Sequence, residues 1–387
     1  MQSKKLDRNV FILGLVSLFT DISSQMIYPL LPIFLSSVLG AGIVFIGLLE
    51  GIAETAASIL KVFSGWYSDK LKKRKPIIFL GYSLSTIGKP FLYLATAGWH
   101  VLIVRFIDRV GKGIRTSPRD ALVADSSLPE QRGKAFGIQR AMDRMGAFLG
   151  PLIAFAILPL LNNNLRLLFL LAFFPALIAV LIIVFFLKEK LHLQDPSKKI
   201  KSISLKYFSR DFKLFVLILA VFTLGNSSDA FLVLRARNLG ISIVFIPILW
   251  LMYNFISSVS SVPLGHLSDK IGRRKTTLLG FIVYGAVYSG FAFSNTQGLI
   301  WIFMAFYGVY YGLSEGVLRA YVADLVEDKS VLASAYGIYH TVAGLCMFPA
   351  SLIMGILWQS FGPRPAFLFG ASLSLVAAIL LSIFIKK

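Results

Sequence analysis

The sequence predicts an all-α integral membrane protein with about twelve transmembrane helices, arranged as two six-helix halves related by pseudo-two-fold symmetry. Of the 387 residues, 56% are hydrophobic and only 15% are charged. The mean hydropathy of +0.75 is too high for a single water-soluble core. At about 20 residues per span, the chain has room for roughly twelve spans joined by short loops. A basic segment also occurs twice, which indicates two copies of one design.

The repeated segment is GWYSDKLKKRK at 65–75 and GHLSDKIGRRK at 265–275. Both copies keep the glycine, the Ser-Asp pair and a cluster of bases, and each lies where one apolar stretch ends and the next begins. We therefore expect two short basic turns between membrane helices, facing the cytoplasm by the positive-inside bias. A second repeat supports the same division, because Val123-Ala124-Asp125 returns as Val322-Ala323-Asp324.

The glycine, the aspartate four residues later and the basic cluster before the next helix resemble the signature loop of the major facilitator superfamily of secondary transporters. This resemblance covers essentially the whole chain and implies that superfamily's fold and transport by alternating access. It gives the loop residues a gating role rather than a solute-binding role, with the two aspartates contacting the start of a neighbouring helix. The residues concerned are Gly65, Asp69 and Arg74 in the first copy, where Lys72 replaces the second glycine, and Gly265, Asp269, Gly272, Arg273 and Arg274 in the second copy.

Six apolar stretches precede a polar, basic segment, and six follow it. The first six are 10–39, 43–68, 76–97, 100–123, 135–161 and 165–187, and the last six are 214–234, 241–268, 276–293, 299–323, 331–358 and 366–385. The N-terminal half is then 1–187 and the C-terminal half 214–387, with a cytoplasmic linker at 188–213.

The distribution of basic residues supports this topology. Bases accumulate at the N-terminus, in the linker and in the signature loops, as expected for the cytoplasmic side. The proposed outer loops and span ends hold only Arg166, Arg235, Arg237 and Arg364. We expect a multi-pass protein of the bacterial cytoplasmic (inner) membrane, with both termini in the cytoplasm. The net charge of +20 does not indicate nucleic-acid binding, because the bases fall in alternate loops rather than on one solvated face.

Ionisable residues at membrane depth are concentrated in the first half, and by default such residues mark a solute or proton path. Helical spacing places them in stripes, as for Arg105, Asp108 and Arg109. Lipid cannot solvate charged stripes, so they are expected to face a shared polar interior. An alternative is a structural lattice of ion pairs, above all for Lys61 and Lys112. The candidate solute- and proton-binding residues are Asp21, Gln25, Glu50, Glu54, Lys89, Arg105, Asp108, Arg109, Arg140, Asp143, Arg144 and, in the second half, Asp229.

The fifth span contains Gly137, Gly146, Gly150 and Pro151 at a spacing that resembles a motif of facilitator antiporters. Small residues allow close approach of a neighbouring helix, and the proline bends the span. Ordinary small-residue packing is the alternative interpretation. The resemblance implies export, and it adds Gly146, Gly150 and Pro151 to the gating residues.

Motifs for other activities are missing from the sequence. It has no G-x-x-x-x-G-K-[ST], no G-x-S-x-G and no H-E-x-x-H, and its single cysteine and four histidines are scattered. We therefore expect no ATP use, no enzymatic activity, no cofactor and no bound metal.

The favoured interpretation is a monomeric, proton-coupled exporter whose partners are a small-molecule solute, protons and the lipid bilayer. An importer or symporter of the same fold, and a non-transporting receptor or scaffold, remain alternatives. The interior groups of the first half are seven bases and five acids, and an unpaired excess of charge is costly in a low dielectric. This excess favours a solute with a carboxylate or phosphate, held by Arg105, Arg109, Arg140 and Arg144, with Asp21 or Glu54 coupling its release to proton entry.

Overall fold

The computed structural model describes residues 7–71, 73–128, 131–189, 208–326 and 331–385, without the side chains of Val62, Trp66, Asp69 and Ala333. Regular secondary structure in these ranges is entirely helical, which confirms the predicted fold class. Most of the expected linker and Lys72 lie outside them. The helices are α1 (Arg8–Ile27), α2 (Leu31–Ile33), α3 (Ile43–Leu71), α4 (Lys75–Leu94), α5 (Gly98–Asp125), α6 (Arg132–Leu160), α7 (Leu165–Leu171), α8 (Phe173–Phe186), α9 (Arg210–Gly225), α10 (Ala230–Asn238), α11 (Ile246–Ile271), α12 (Arg273–Phe293), α13 (Gln297–Leu325), α14 (Leu332–Phe361) and α15 (Pro363–Phe384).

Ten helical segments of the described chain are long and apolar enough to cross a membrane. The two other long helices, α5 and α13, have 28 and 29 residues, which also suffices for a span. Their mean hydropathy is lower because α5 carries a charged stripe and α13 is rich in tyrosine. With these two, the described helices provide the twelve spans that the sequence predicts.

Three of the predicted spans are interrupted helices. Pro29 and Pro32 divide the first span, where a 3-10 turn at Tyr28–Leu30 and a π-helix at Phe34–Val38 flank α2. Ala172 separates α7 from α8 in the sixth span. In the seventh span the residues 226–229, Asn-Ser-Ser-Asp, separate α9 from α10. In the seventh span, the short polar side chains favour the break because they offer the backbone hydrogen bonds that compete with those of the helix.

The chain forms two compact units. The first consists of Met1–Gly40, Ala56–Pro196 and Ile243–Ile248, and the second of Ala41–Thr55, Ser197–Ser242 and Leu249–Lys387. The start of α3 therefore belongs to the second unit and the start of α11 to the first, which departs from a simple division at the linker.

In the first unit, α1 packs against α6 and α8, and α4 packs against α5 and α8. Two of these pairs meet backbone to backbone at glycines. A Cβ on Gly150 of α6 would lie 2.7 Å from the carbonyl oxygen of Ile22, and one on Gly81 of α4 would lie 2.7 Å from that of Gly111. Side chains at these positions would hold the helices apart, so the short interhelical distance depends on glycine.

The second unit repeats this arrangement. Helix α9 packs against α14 and α15, and α12 packs against α13 and α15, so the same pairs of helices meet as in the first unit. A Cβ on Gly225 would lie 2.8 Å from the carbonyl oxygen of Gly370. Aromatic side chains dominate the core of this unit, and Tyr284, Tyr288 and Tyr307 are fully buried there.

Candidate solute and proton site

A positively charged pocket lies in the first unit between α1, α4 and α5. Oδ2 of Asp108 is 3.2 Å from Nη2 of Arg109 and 3.7 Å from Nη1 of Arg105. Lys89 is buried on α4 and donates to the hydroxyl of Ser23. The lining therefore holds three bases, Lys89, Arg105 and Arg109, and one acid, Asp108. The helical spacing placed Arg105, Asp108 and Arg109 on one face of α5 but did not place Lys89 beside them. The formal excess is two positive charges.

The pocket is small. About 30 Å³ is open to the centre of a water molecule, which is room for about two waters. The Arg105 guanidinium covers the ring of Tyr28 at 4.7 Å from its centroid, an attractive cation–π arrangement. This space is smaller than an organic solute, so solute binding there would require the pocket to widen.

A second layer of polar contacts supports the arginine cluster from α4. The hydroxyl of Ser85 donates to the carbonyl oxygen of Asp108 at 3.1 Å and accepts from Nη1 of Arg115. The Arg115 guanidinium lies over the ring of Tyr82, 4.4 Å from its centroid. The side chain of Arg115 is buried in the first unit, and the sequence analysis did not include it among the candidate site residues. Its position four residues beyond Gly111 on α5 is the signal that could have identified it.

Two predicted acids come together where α1 and α6 meet. Asp21 and Gln25 lie on the face of α1 that α6 covers, since a Cβ on Gly146 would be 2.8 Å from the Asp21 Cβ and one on Gly150 would be 2.7 Å from the Gln25 Cβ. The carboxylates of Asp21 and Asp143 interact electrostatically. Oδ1 of Asp143 is buried and has no hydrogen-bond partner in the described part of the chain.

Bases surround this acid pair as well. Lys112, Arg115 and Arg119 interact electrostatically with Asp21. Arg119 also donates to the hydroxyl of Ser17 at 3.1 Å. Other predicted residues of α6 point elsewhere, because Arg140 and Arg144 are exposed and neither lines the pocket at Arg105.

Glu50, Glu54 and Asp229 belong to the second unit. Asp229 is the last residue of the break in the seventh span and occupies the N-cap position of α10, and its Oδ1 accepts a 2.6 Å hydrogen bond from the Tyr307 hydroxyl. Glu54 and Glu50 interact electrostatically with Asp229. The sequence had placed both glutamates with the charges of the first half.

The packing of residues 41–55 explains this placement of the two glutamates. The Thr55 hydroxyl donates to the carbonyl oxygen of Gly344 at 2.7 Å, and a Cβ on Gly51 would lie 2.9 Å from the Cα of Phe348. The start of α3 is thus held against α14. Hydrophobic periodicity cannot reveal this contact, because it shows which face is polar but not which helix covers that face.

A cluster of tyrosines around Asp229 was missed by the sequence analysis. Tyr307 contacts Tyr311 edge-on and Tyr253 at a tilt, with ring centroids 5.3 and 5.5 Å away, and the rings of Tyr284 and Tyr288 stack with centroids 4.1 Å apart. A signal was available, because Tyr307, Tyr310 and Tyr311 share a face of α13, and Tyr284 and Tyr288 are four residues apart on α12. Phenolic hydroxyls can donate to a carboxylate or pass a proton along a chain of hydrogen bonds.

The predicted gating loops carry the same interactions in both units. In the first, Nε of Arg74 lies 2.7 Å from Oδ2 of Asp125, and Nη1 donates to the Ser68 hydroxyl at 3.0 Å. In the second, Nε of Arg273 lies 3.7 Å from Oδ2 of Asp324, and Nη1 donates to the Ser268 hydroxyl at 2.9 Å. Arg273 also pairs closely with Asp269. The side chain of Asp69 lies outside the described residues.

The glycines of these loops differ in their surroundings. Gly272 has φ of +93°, a conformation that favours glycine, and it directly precedes α12. A Cβ on Gly65 would lie 3.3 Å from the Cβ of Ser117, whereas one on Gly265 would meet nothing within 4 Å. Pro151 is buried within α6.

For metals, the described residues include no group of three His, Cys, Asp or Glu side chains placed to hold an ion.

Comparison with known proteins identifies the family. The sequence profile of the Major Facilitator Superfamily matches residues 13–234 and 214–387. An uncharacterised MFS-type transporter of Methanocaldococcus jannaschii, MJ1317, is 40% identical over 98% of this chain and 95% of its own length. The multidrug resistance protein MdtH of Photorhabdus laumondii is 30% identical, but over 33% of this chain and 31% of its own length. The crystal structure of a D323A mutant of the nucleoside transporter NupG superposes with a TM-score of 0.82 over 98% of this chain and all of that one, at 14% identity.

Proposed function

This chain belongs to the Major Facilitator Superfamily, and we propose that this secondary transporter exports a small organic anion in exchange for protons. Its family membership gives a small-molecule solute and a multi-pass membrane location. The solute class, the coupling ion and the direction are the proposal.

The charge of the pocket in the first unit carries the assignment of the solute. Two arginines and a lysine face a single aspartate there, and all four side chains are largely withdrawn from solvent. A carboxylate or phosphate would offset the excess of positive charge, and the planar guanidinium fork matches either group. We assign Arg105 and Arg109 to solute binding, with Lys89 as a further positive charge. Arg140 and Arg144 do not line this pocket, so they are not part of the assignment.

The pair of Asp21 and Asp143 supports proton coupling. The carboxylates of Asp21 and Asp143 interact electrostatically, and two like charges in a membrane interior repel, so a proton bound by either one removes the repulsion. Deprotonation restores it and favours a different arrangement of α1 and α6. The two helices meet at Gly146 and Gly150. A rearrangement of α1 and α6 would therefore alter the contact at these glycines, whose spacing resembles the antiporter motif. That resemblance also supports export.

The test uses purified protein reconstituted into liposomes that contain a pH-sensitive dye. Anionic, neutral and cationic solutes of similar size are presented against an imposed proton gradient. We expect the proton gradient to collapse as an anionic solute and protons cross the membrane in opposite directions. The Arg105→Gln and Arg109→Gln variants should lose solute binding. Arg140→Gln should bind as the wild type does. Equal binding by all three variants would contradict the anion assignment, and uptake insensitive to a protonophore would contradict proton coupling.

A further inference from the structure

Two buried hydroxyl groups beside the break in the seventh span have no hydrogen-bond partner in the described part of the chain. They belong to Ser227 and Tyr288, which are 2% and 0% exposed. The hydroxyls of Ser227, Tyr284 and Tyr307 lie around that of Tyr288, but none makes a hydrogen bond with it. The two unpartnered groups therefore border one small gap. Native proteins fill such a gap with a water or an ion, because an unsatisfied buried hydroxyl is costly.

The neighbouring tyrosines offer only oxygen lone pairs to this gap. A phenol has a single hydrogen to donate. Tyr284 donates its hydrogen to the carbonyl oxygen of Gly225, where α9 ends, at 3.0 Å. Tyr307 donates its hydrogen to Oδ1 of Asp229 at 2.6 Å. Toward the gap, the oxygens of both tyrosines can therefore act only as acceptors or as ligands of a cation.

The surroundings of the gap are negatively charged. Tyr288 and Tyr307 both interact electrostatically with Asp229. Four side chains act most strongly on the Asp229 carboxylate, and none of them is a base: Glu50, Glu54, Tyr307 and Tyr311. A water molecule in the gap would bond to the oxygens but would leave this charge unchanged. A cation would bind the oxygens and also offset the charge.

The packing of the rings selects a small cation. Tyr284, Tyr288 and Tyr307 are fully buried, so an organic ammonium group would have to move these rings to reach their hydroxyls. A divalent ion is not favoured, because the described residues place no three acids around one point. One carboxylate with several neutral oxygens suits a monovalent hard ion. Interrupted helices of secondary transporters bind sodium in this way.

We propose that the break at 226–229 holds a sodium ion. The hydroxyl oxygens of Ser227 and Tyr288 are its ligands, together with those of Tyr284 and Tyr307, and Asp229 supplies the counter-charge. The final carbonyl groups of α9, which lack partners within the helix, are further ligands of the same type. All these residues belong to the second unit. Sodium binding there requires neither the solute nor a proton gradient.

The experiment uses the purified full-length protein in detergent without solute. Thermal unfolding is followed at constant pH and ionic strength while sodium chloride replaces N-methyl-D-glucamine chloride, and in parallel while potassium chloride replaces it. We expect saturable stabilisation by sodium at a concentration at least about tenfold lower than by potassium, because a ligand that binds the folded state raises its apparent stability. The absence of a saturable sodium effect, or equal effects of the two ions, would overturn the proposal.

Tyr288→Phe distinguishes a bound ion from a hydroxyl that is merely unsatisfied. The substitution removes an oxygen that makes no hydrogen bond in the described chain, so in sodium-free buffer the variant should be at least as stable as the wild type. Its apparent affinity for sodium should be at least about tenfold weaker, the effect of one lost ligand. Ser227→Ala should weaken sodium binding in the same way, and it serves if Tyr288→Phe does not fold.

Ser228→Ala is the matched control for Ser227→Ala. The Ser228 hydroxyl is also buried in the break, but its oxygen accepts from the N–H of Ala230 at 3.3 Å. This variant should lose some stability with or without sodium, while its apparent sodium affinity stays within about twofold of the wild type. Sodium does not bind at the break if Ser227→Ala and Tyr288→Phe keep the wild-type affinity, or if Ser228→Ala weakens it as much as they do.

Discussion

Arg74 and Asp125 form an ion pair of 2.7 Å in which the arginine side chain is 4% exposed and the aspartate 18%. The pair with the corresponding contacts in the second unit, Arg273 and Asp324, is 3.7 Å apart, with 26% and 61% of the side chains exposed. The same arrangement is thus tight and buried in the first unit but loose and solvated in the second. Since water weakens an exposed ion pair, the two interactions differ in energy.

We expect Asp125→Asn to destabilise the protein by about 3 kcal/mol, because it removes a counter-charge that contacts a buried arginine at 2.7 Å. Asp324→Asn should cost at most about 1 kcal/mol, as for an exposed ion pair. Thermal unfolding of the two variants in detergent measures the difference. Equal losses of apparent stability would show that burial does not distinguish the two pairs.

Substitution of Gly146 by alanine tests the contact between α1 and α6. The added Cβ would lie 2.6 Å from the carbonyl oxygen of Leu18, and backbone at that distance cannot move without separating the helices. We expect a destabilisation of about 1–3 kcal/mol. Gly137→Ala on the same helix is the control, since its Cβ would meet nothing within 4 Å. It should be neutral or stabilise by up to about 1 kcal/mol, and similar losses from both substitutions would contradict the contact.

Much of the fold could be predicted from the sequence because a membrane imposes simple requirements on it. Each span needs about 20 apolar residues, and the basic turns mark where spans end. The interruptions at Pro29 and at 226–229 were harder to recognise. An apolar run looks continuous in hydropathy even where proline, or four short polar residues in succession, divides the helix.

The site could be predicted from the sequence where its residues lie on a single helix. Arg105, Asp108 and Arg109 share a face of α5 by spacing alone, and the glycines of α6 predicted a close neighbour. Which helix fills that place depends on tertiary packing, so the contact of Gly146 with Asp21 needed the structure. The association of Glu50 and Glu54 with Asp229 in the second unit is of the same kind, because it depends on α14 and not on the pattern of α3.

The hydroxyl of Tyr307 should be important for holding Asp229. Its 2.6 Å hydrogen bond is directed at a carboxylate, and such a bond contributes about 1.5–3 kcal/mol. Tyr307→Phe should lower the free energy of unfolding by that amount. Tyr310→Phe in the same cluster is the control, since its hydroxyl contacts Asn226 at 3.4 Å and its removal should cost about 1 kcal/mol or less. Tyr307→Phe should have a lower thermal unfolding midpoint than Tyr310→Phe, and the reverse order would contradict the role of the Tyr307 hydroxyl.

Asp143→Asn should separate solute movement from proton movement. The substitution removes the charge that faces Asp21 but keeps the shape of the side chain, so solute exchange at equal pH should continue. Exchange driven by a proton gradient should fall at least about tenfold, because a neutral amide beside Asp21 removes the repulsion that proton binding by either acid would relieve. Dye-loaded liposomes measure the proton flux, with Asp211→Asn, in the first turn of α9, as the control acid. Unchanged proton flux in Asp143→Asn would remove this residue from the coupling mechanism.

The signature loops yield the last prediction, which concerns rate rather than affinity. Asp269 pairs with Arg273 at the start of α12, and Arg273 also lies near Asp324. The Asp269→Asn substitution would remove the charge of one of these two acids. Asp269→Asn should slow solute exchange while the dissociation constant for the solute changes less than about twofold, because the loop governs a conformational step. We expect the same of Asp69→Asn from the repeat. Lys270→Gln, one residue from Asp269 and exposed, controls for a general effect of altering the loop. Exchange rates in liposomes and solute affinity in detergent are measured on the same preparations, and a variant that loses affinity but keeps its exchange rate would show that the aspartate belongs to the solute site.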